Sequence, residues 1–199
     1  YVEENNLSTL PDELFELKNL KYLNLSLCNI VKISEKISQL EELEELILIG
    51  NQIDEITSEI CNLKKLKKLD LSYNYEITEI PDYIENLSNI ETLNLSFNKI
   101  KTVSSKICNL QNIKDINLGY NTISEIPSEI GNLQSLKKII LSNNRINQLP
   151  ASIYELINLE KLDISFNEII FLNAEIGNLS KLIEFYANDN LITAYPECL

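Results

Sequence analysis

Two carboxylates, Asp70 and Asp163, occupy matching places in two similar segments, LDLSYN (69–74) and LDISFN (162–167). A pair of carboxylates can act as general acid and base when about 5–10 Å separates them. Four cysteines (Cys28, Cys61, Cys108 and Cys198) could serve as nucleophiles, metal ligands or disulfide partners. The chain has no histidine, so neither a Ser-His-Asp nor a Cys-His arrangement can be assembled. Gly50, Gly119, Gly131 and Gly177 are scattered, and no glycine-rich phosphate loop exists. The cysteine spacing does not suit a zinc site. No cofactor or metal is called for.

The elements that carry these residues repeat. Aligning on an opening leucine gives Leu17, Leu40, Leu63, Leu87, Leu110, Leu133, Leu156 and Leu179, spaced by 23 residues except for one step of 24. Residues 1–16 supply the tail of an earlier unit, so residues 1–199 read as a single array. Each unit follows L-x-x-L-x-x-L-x-L-x-x-N-x-I-x-x-I-P-x-x-I-x-x, with Ile and Leu interchanging. In LEELILIGNQI (43–53), Leu46 and Leu48 alternate with Glu45, Ile47 and Ile49, a period of two that predicts a short strand. Ile53, Ile56 and Ile60 then fall three and four apart, which suits a helical or 3₁₀ turn on the opposite wall. One unit alone cannot bury its leucines, so neighbours must stack and share a continuous core.

The pattern resembles the leucine-rich repeat family, and within it the 23-residue class found in intracellular Ras-group regulators, scaffold proteins and bacterial relatives. The resemblance implies an α/β solenoid: a curved right-handed superhelix with a parallel β-sheet on its concave face and short helical or 3₁₀ turns on its convex face. Asn51, Asn74, Asn98, Asn121, Asn144, Asn167 and Asn190 recur where the chain turns inward. Their amides can pair backbone groups that the turn leaves open, so they are expected to form a structural ladder. Cys28 holds the same place in the first full unit, where its thiol can partly substitute.

At about 4.8 Å per strand, Asp70 and Asp163 stand roughly 19 Å apart, too far for a carboxylate pair. Cys61 and Cys108 lie two units apart, roughly 10 Å, beyond the reach of a disulfide. Four free thiols favour a reducing, cytoplasmic setting. N-x-S triplets at Asn6, Asn24, Asn86, Asn94 and Asn178 agree, because glycans at Asn24 and Asn94 would fill the concave face. The net charge of −13 argues against nucleic acid or an anionic membrane surface as partner. No apolar run is long enough to insert in a membrane.

The remaining surface suits binding rather than catalysis, with a protein as partner. The central concave column runs Tyr1, Asn24, Ile47, Asp70, Asn94, Asn117, Ile140, Asp163 and Tyr186, with Ile47, Ile49 and Ile140 as exposed apolar anchors. Beside the ladder, Leu27, Tyr73, Phe97, Tyr120 and Phe166 form a rim of large residues of the kind that dominates protein interfaces. Lys21, Glu44, Lys67, Glu91, Lys114, Lys137 and Glu160 alternate in sign down the strand entrances and are expected to pair across strands. Lys138, with Lys114, Lys137 and Lys161, marks the one locally basic area. Tyr75 and Glu76 account for the 24-residue step and lengthen one rim loop beside Tyr73.

The ends read as uncapped. Val2, Leu7 and Leu10 face outward at one, and Phe185-Tyr186-Ala187 departs from L-x-L at the other. Flanking repeats, caps or self-association would cover them. Tyr1 in the first position and the lack of any Met suggest a piece of a longer chain. An interaction module in signalling or scaffolding is the expected function. The alternatives are the recognition or autoregulatory region of a larger kinase, phosphatase or GTPase, and a secreted or host-directed repeat protein.

Overall fold

The structure is a computed structural model that describes residues 5, 7 and 10–194. Eight three-residue strands, one from each full unit, line up side by side and in parallel. They are β1 (Tyr22–Asn24), β2 (Glu45–Ile47), β3 (Lys68–Asp70), β5 (Thr92–Asn94), β7 (Asp115–Asn117), β8 (Lys138–Ile140), β9 (Lys161–Asp163) and β10 (Glu184–Tyr186). Register is strict: Leu23 opposes Leu46, Leu46 opposes Leu69, and Leu69 opposes Leu93. A one-residue slip would turn every leucine out of the core, so the L-x-L pattern fixes the pairing.

The opposite wall carries short turns. Seven are 3₁₀, at Asp12–Glu16, Glu35–Gln39, Asp82–Asn86, Ser105–Asn109, Ser128–Asn132, Ala151–Glu155 and Ala174–Asn178; one, α1 (Ser58–Cys61), is α-helical. Pro11, Pro81, Pro127 and Pro150 stand at the N-cap of four of them, where a missing N–H costs nothing. Ser34, Ser104 and Asn173 cap three more by accepting from the backbone N–H two residues on. Each turn stays short because it must deliver an apolar side chain inward within a single unit, Phe15 in the first and an isoleucine in the other seven. Ile37, Ile60, Ile84, Ile107, Ile130, Ile153 and Ile176 do so, and all are buried.

On the same wall β4 (Glu79–Ile80) pairs in parallel with β6 (Thr102–Val103), a second sheet of two strands. Between the walls lies one continuous core of leucine and isoleucine, from Phe15 to Leu179. Leu7 and Leu10 pack partly against one end of it, and Leu182, Phe185 and Ala187 against the other. Val2 falls outside the described residues. Ile183 (79% exposed) and Leu191 (58%) remain open at the last unit.

The asparagine ladder is made. Asn51 accepts at Oδ1 from the Ile30 N–H (3.0 Å) and donates from Nδ2 to Leu25 O (2.9 Å) and Leu48 O (3.0 Å). Asn74, Asn121, Asn144, Asn167 and Asn190 repeat this pattern, each accepting from Ile53, Ile100, Ile123, Ile146 and Ile169 in turn. In the ladder position of the first full unit, Cys28 donates through Sγ to Ser26 O at 3.4 Å. One rung is incomplete. Asn98 Nδ2 donates to Leu71 O and Leu95 O, yet its buried Oδ1 has no donor among the described residues. The donor is missing because the turn below Asn98 is the one lengthened by Tyr75-Glu76. Elsewhere the residue two after the lower Asn (or, in the first unit, Cys28) supplies the N–H; here the extra residue puts Ile77 three after Asn74.

Candidate functional site

The large side chains beside the ladder sit in a strained conformation. Leu27, Tyr73, Phe97, Tyr120 and Phe166 all have φ between 53° and 58°, the left-handed region that glycine and asparagine prefer. Gly50 and Asn143 hold the same place in two other units. At Gly50 a Cβ would meet Leu27 Cδ2 at 2.4 Å, so a larger residue there would have to move the end of that side chain. Tyr73 stacks on Phe97 with ring centroids 4.0 Å apart, and Phe97 on Tyr120 at the same distance. Tyr75, also at positive φ, stands edge-on to Tyr73 at 6.1 Å. Sandwiching leaves Phe97 half-buried, whereas Tyr73, Tyr75, Tyr120 and Phe166 are exposed. Phe166 stacks on no ring among the described residues and is 50% exposed.

The concave centre differs from expectation, most sharply at two residues. Ile47 is only 5% exposed and Asp70 only 9%, so neither is an accessible anchor. Strict alternation predicts an outward side chain, but on the inside of a curved sheet the neighbouring columns close over it. Ile47 lies in register between Asn24 and Asp70. Asp70 accepts from the Ser72 N–H (3.0 Å) and hydroxyl (2.6 Å), and from Asn94 Nδ2 (2.9 Å). Ile49 and Ile140 are half-buried rather than exposed, as is Lys138. Asp70, Asn94, Asp115, Asn117 and Lys138 line one shallow depression of about 190 Å³ on this face. Tyr186 is exposed at the far end of the column, and Tyr1 falls outside the described residues.

Charges at the strand entrances pair as the alternation predicts. Glu44 bridges Lys21 (2.9 Å) and Lys67 (2.8 Å); Lys114 meets Glu91 at 2.6 Å and Lys137 meets Glu160 at 2.9 Å. Lys161 is taken by Glu184 at 2.5 Å. The basic area is therefore neutralised apart from Lys138, which forms no ion pair among the described residues.

The profile of the leucine-rich repeat region family matches residues 3–104 and 100–190. The chain belongs to the leucine-rich repeat family. Among solved structures it is similar to a leucine-rich repeat protein of Leptospira interrogans, with a TM-score of 0.77 and 30% identity, covering 96% of this chain and 55% of that one. Among curated proteins it is similar to the TMV resistance protein N of Nicotiana glutinosa, 37% identical over 68 residues, which is 33% of this chain and 6% of that protein. It is also similar to adenylate cyclase of Schizosaccharomyces pombe, 38% identical over 80 residues, or 40% of this chain and 5% of that protein.

One structural role in this leucine-rich repeat array escaped the sequence reading. Asn24, Asp70, Asn94 and Asp163 each accept from both the N–H and the hydroxyl of the serine two residues on, and Asn117 accepts from the Gly119 N–H. These local bonds end five of the eight strands and pin the side chains down. The signal was visible as a recurring N-x-S or D-x-S, which reads as a glycosylation triplet or as two separate surface columns.

The described thiols are poorly placed for chemistry. Cys28, Cys61 and Cys108 are buried, and burial pushes the Cys61 and Cys108 pKa up to about 12. A thiol held protonated is a poor nucleophile. Cys198 lies outside the described residues. Among those residues no group of His, Cys, Asp or Glu could hold a metal ion, and no helix is long and apolar enough to cross a membrane.

Glu44 gives a pH prediction. Hydrogen bonds from Lys67 and Lys21 hold its carboxyl at about 2, below the ordinary 4.5. A depressed pKa contributes stability that is full above the unfolded value and fades as pH falls toward the folded one. The stability advantage of the natural chain over Glu44→Gln should therefore be constant above pH ~5 and vanish between about 4.5 and 2. Urea midpoints across that range check it. The advantage is small, because the pair is exposed.

Proposed function

We propose that this array is a protein–protein interaction module whose partner lies across the concave face and grips the aromatic rim. The observation that carries the reading is the strained rim. A left-handed backbone costs a non-glycine residue roughly 1–2 kcal/mol. Gly50 and Asn143 show that cheaper residues fit the same turn. Stacking offsets that cost for Tyr73, Phe97 and Tyr120, at about 0.5–1.5 kcal/mol per pair. Phe166 has no such compensation and is half exposed. A large ring held at that cost is what a binding surface requires. Tyr73, Tyr75, Phe97, Tyr120 and Phe166 are the proposed contact strip, with Ile49, Lys138 and Ile140 behind it on the sheet.

The role follows as signalling or scaffolding in the cytoplasm, a setting that the free, buried Cys61 and Cys108 support. A second reading, the regulatory region of a larger signalling enzyme, is favoured by the likeness to part of an adenylate cyclase.

The test uses the turn's own preference. Tyr73→Asn, Tyr75→Asn, Tyr120→Asn and Phe166→Asn together replace the rings with a residue that Asn143, and for Tyr75 the equivalently placed Asn29, show the left-handed turn accepts. The fourfold variant should keep its circular dichroism and melting curve while losing the protein that the natural chain retains from cell extract. Retention of the same protein by both would end the rim reading.

A further inference from the structure

The opposite wall holds a feature that the rim does not explain. Where the chain leaves the ladder turns and enters the short helical turns, it leaves a trough across successive units. One depression of about 330 Å³ and a second of about 360 Å³ share Asp54, Glu55 and Tyr83. A third, about 490 Å³, continues from Glu79, Pro81 and Tyr83 to Val103. Among the described residues, Lys32 is the only basic one lining the three. Asp54, Glu55 and Glu79 are exposed and form no ion pair among the described residues, unlike the paired carboxylates of the strand entrances. Unbalanced negative charge is thus concentrated here. Glu76, from the lengthened loop, lines the same trough.

Tyr83 stands at the junction of all three depressions. Its hydroxyl donates to Ile56 O at 2.8 Å, which fixes the ring in the floor while 37% of the residue stays exposed. Burial is the main reason its pKa is raised, and the field of Glu55, Glu59 and Glu79 adds to it. Thr57 lines the first depression too, and its buried hydroxyl has no partner among the described residues. An anchored aromatic ring ringed by unpaired carboxylates is the chemistry that takes up an ammonium or guanidinium group. A channel across successive units suits an extended chain, which advances about 3.3 Å per residue.

We propose that this trough is a second docking surface, for an extended basic segment of a partner protein, with a lysine or arginine headgroup seated over Tyr83 between Glu55 and Glu79. The site is separate from the aromatic rim, so either can fail without the other.

The probe is a capped heptapeptide alternating alanine with lysine, titrated calorimetrically at low ionic strength. The triple variant Asp54→Asn, Glu55→Gln, Glu79→Gln should weaken binding by at least about tenfold. A control variant removing the same charge elsewhere on this wall, Glu13→Gln, Glu16→Gln, Glu155→Gln, should change it by less than about twofold. Tyr83→Leu should weaken it at constant net charge, and the fourfold rim variant should bind as the natural chain does. Equal loss in both triple variants would mean diffuse attraction and overturn the site, as would no binding to the natural chain. Loss in the rim variant would overturn the separation of the two surfaces.

Discussion

Asn121→Ala should destabilise the array by at least about 1 kcal/mol more than Asn98→Ala, although the two residues hold the same place in adjacent units. Asn121 accepts from the Ile100 N–H at 2.9 Å and donates to Leu95 O and Leu118 O, both at 3.0 Å. Those two carbonyls are shared: Asn98 also donates to Leu95 O, and Asn144 to Leu118 O. Alanine therefore leaves the carbonyls with a remaining donor but orphans the Ile100 N–H. A buried unpaired amide costs about 1–3 kcal/mol. Asn98→Ala orphans no amide, because its Oδ1 accepts none, and Leu71 O and Leu95 O keep Asn74 and Asn121. Urea midpoints at unchanged slope measure the difference. Equal losses would mean that the ladder is stabilised by its carbonyl bonds alone.

Leu95→Ala should cost about 2–5 kcal/mol, near the top of that range. Leu95 is fully buried and sits mid-array, with units on both sides, and the Asn98 and Asn121 side chains bond its carbonyl. The cavity cannot collapse, since the strict register on either side holds the walls apart. Leu182→Ala offers the contrast. It is only partly buried, in the last full unit, and should cost clearly less. Comparable losses at the two positions would argue against a continuous core. Thermal and urea unfolding of both variants decide it.

Most of this architecture can be read from the chain because one unit solves the same packing problem eight times. Leu46 and Leu48 must face inward in every frame that buries them, and Asn51 must meet the open turn. Ile47 and Asp70 were misread for a physical reason. Period-two alternation tells which side of a strand a residue takes, but not how crowded that side is. Curvature brings neighbouring columns together on the inside, and the serine two residues on draws Asp70 down. The rim residues could be placed by spacing, whereas their left-handed backbone and mutual stacking could not. Both depend on how one unit leans on the next.

The lengthened third unit changes how it is joined to the fourth. The joints on either side carry a complete interior rung. At this joint one interior bond is missing, although the Asn98–Leu71 bond and the pairing of β3 with β5 still cross it, and the Glu76–Lys99 ion pair at 2.8 Å and the parallel bridge of β4 with β6 cross it outside the ladder. The joint therefore has one interior restraint fewer than those flanking it. Bending of the solenoid is expected to concentrate there, and with it any change in the curvature that the concave face offers.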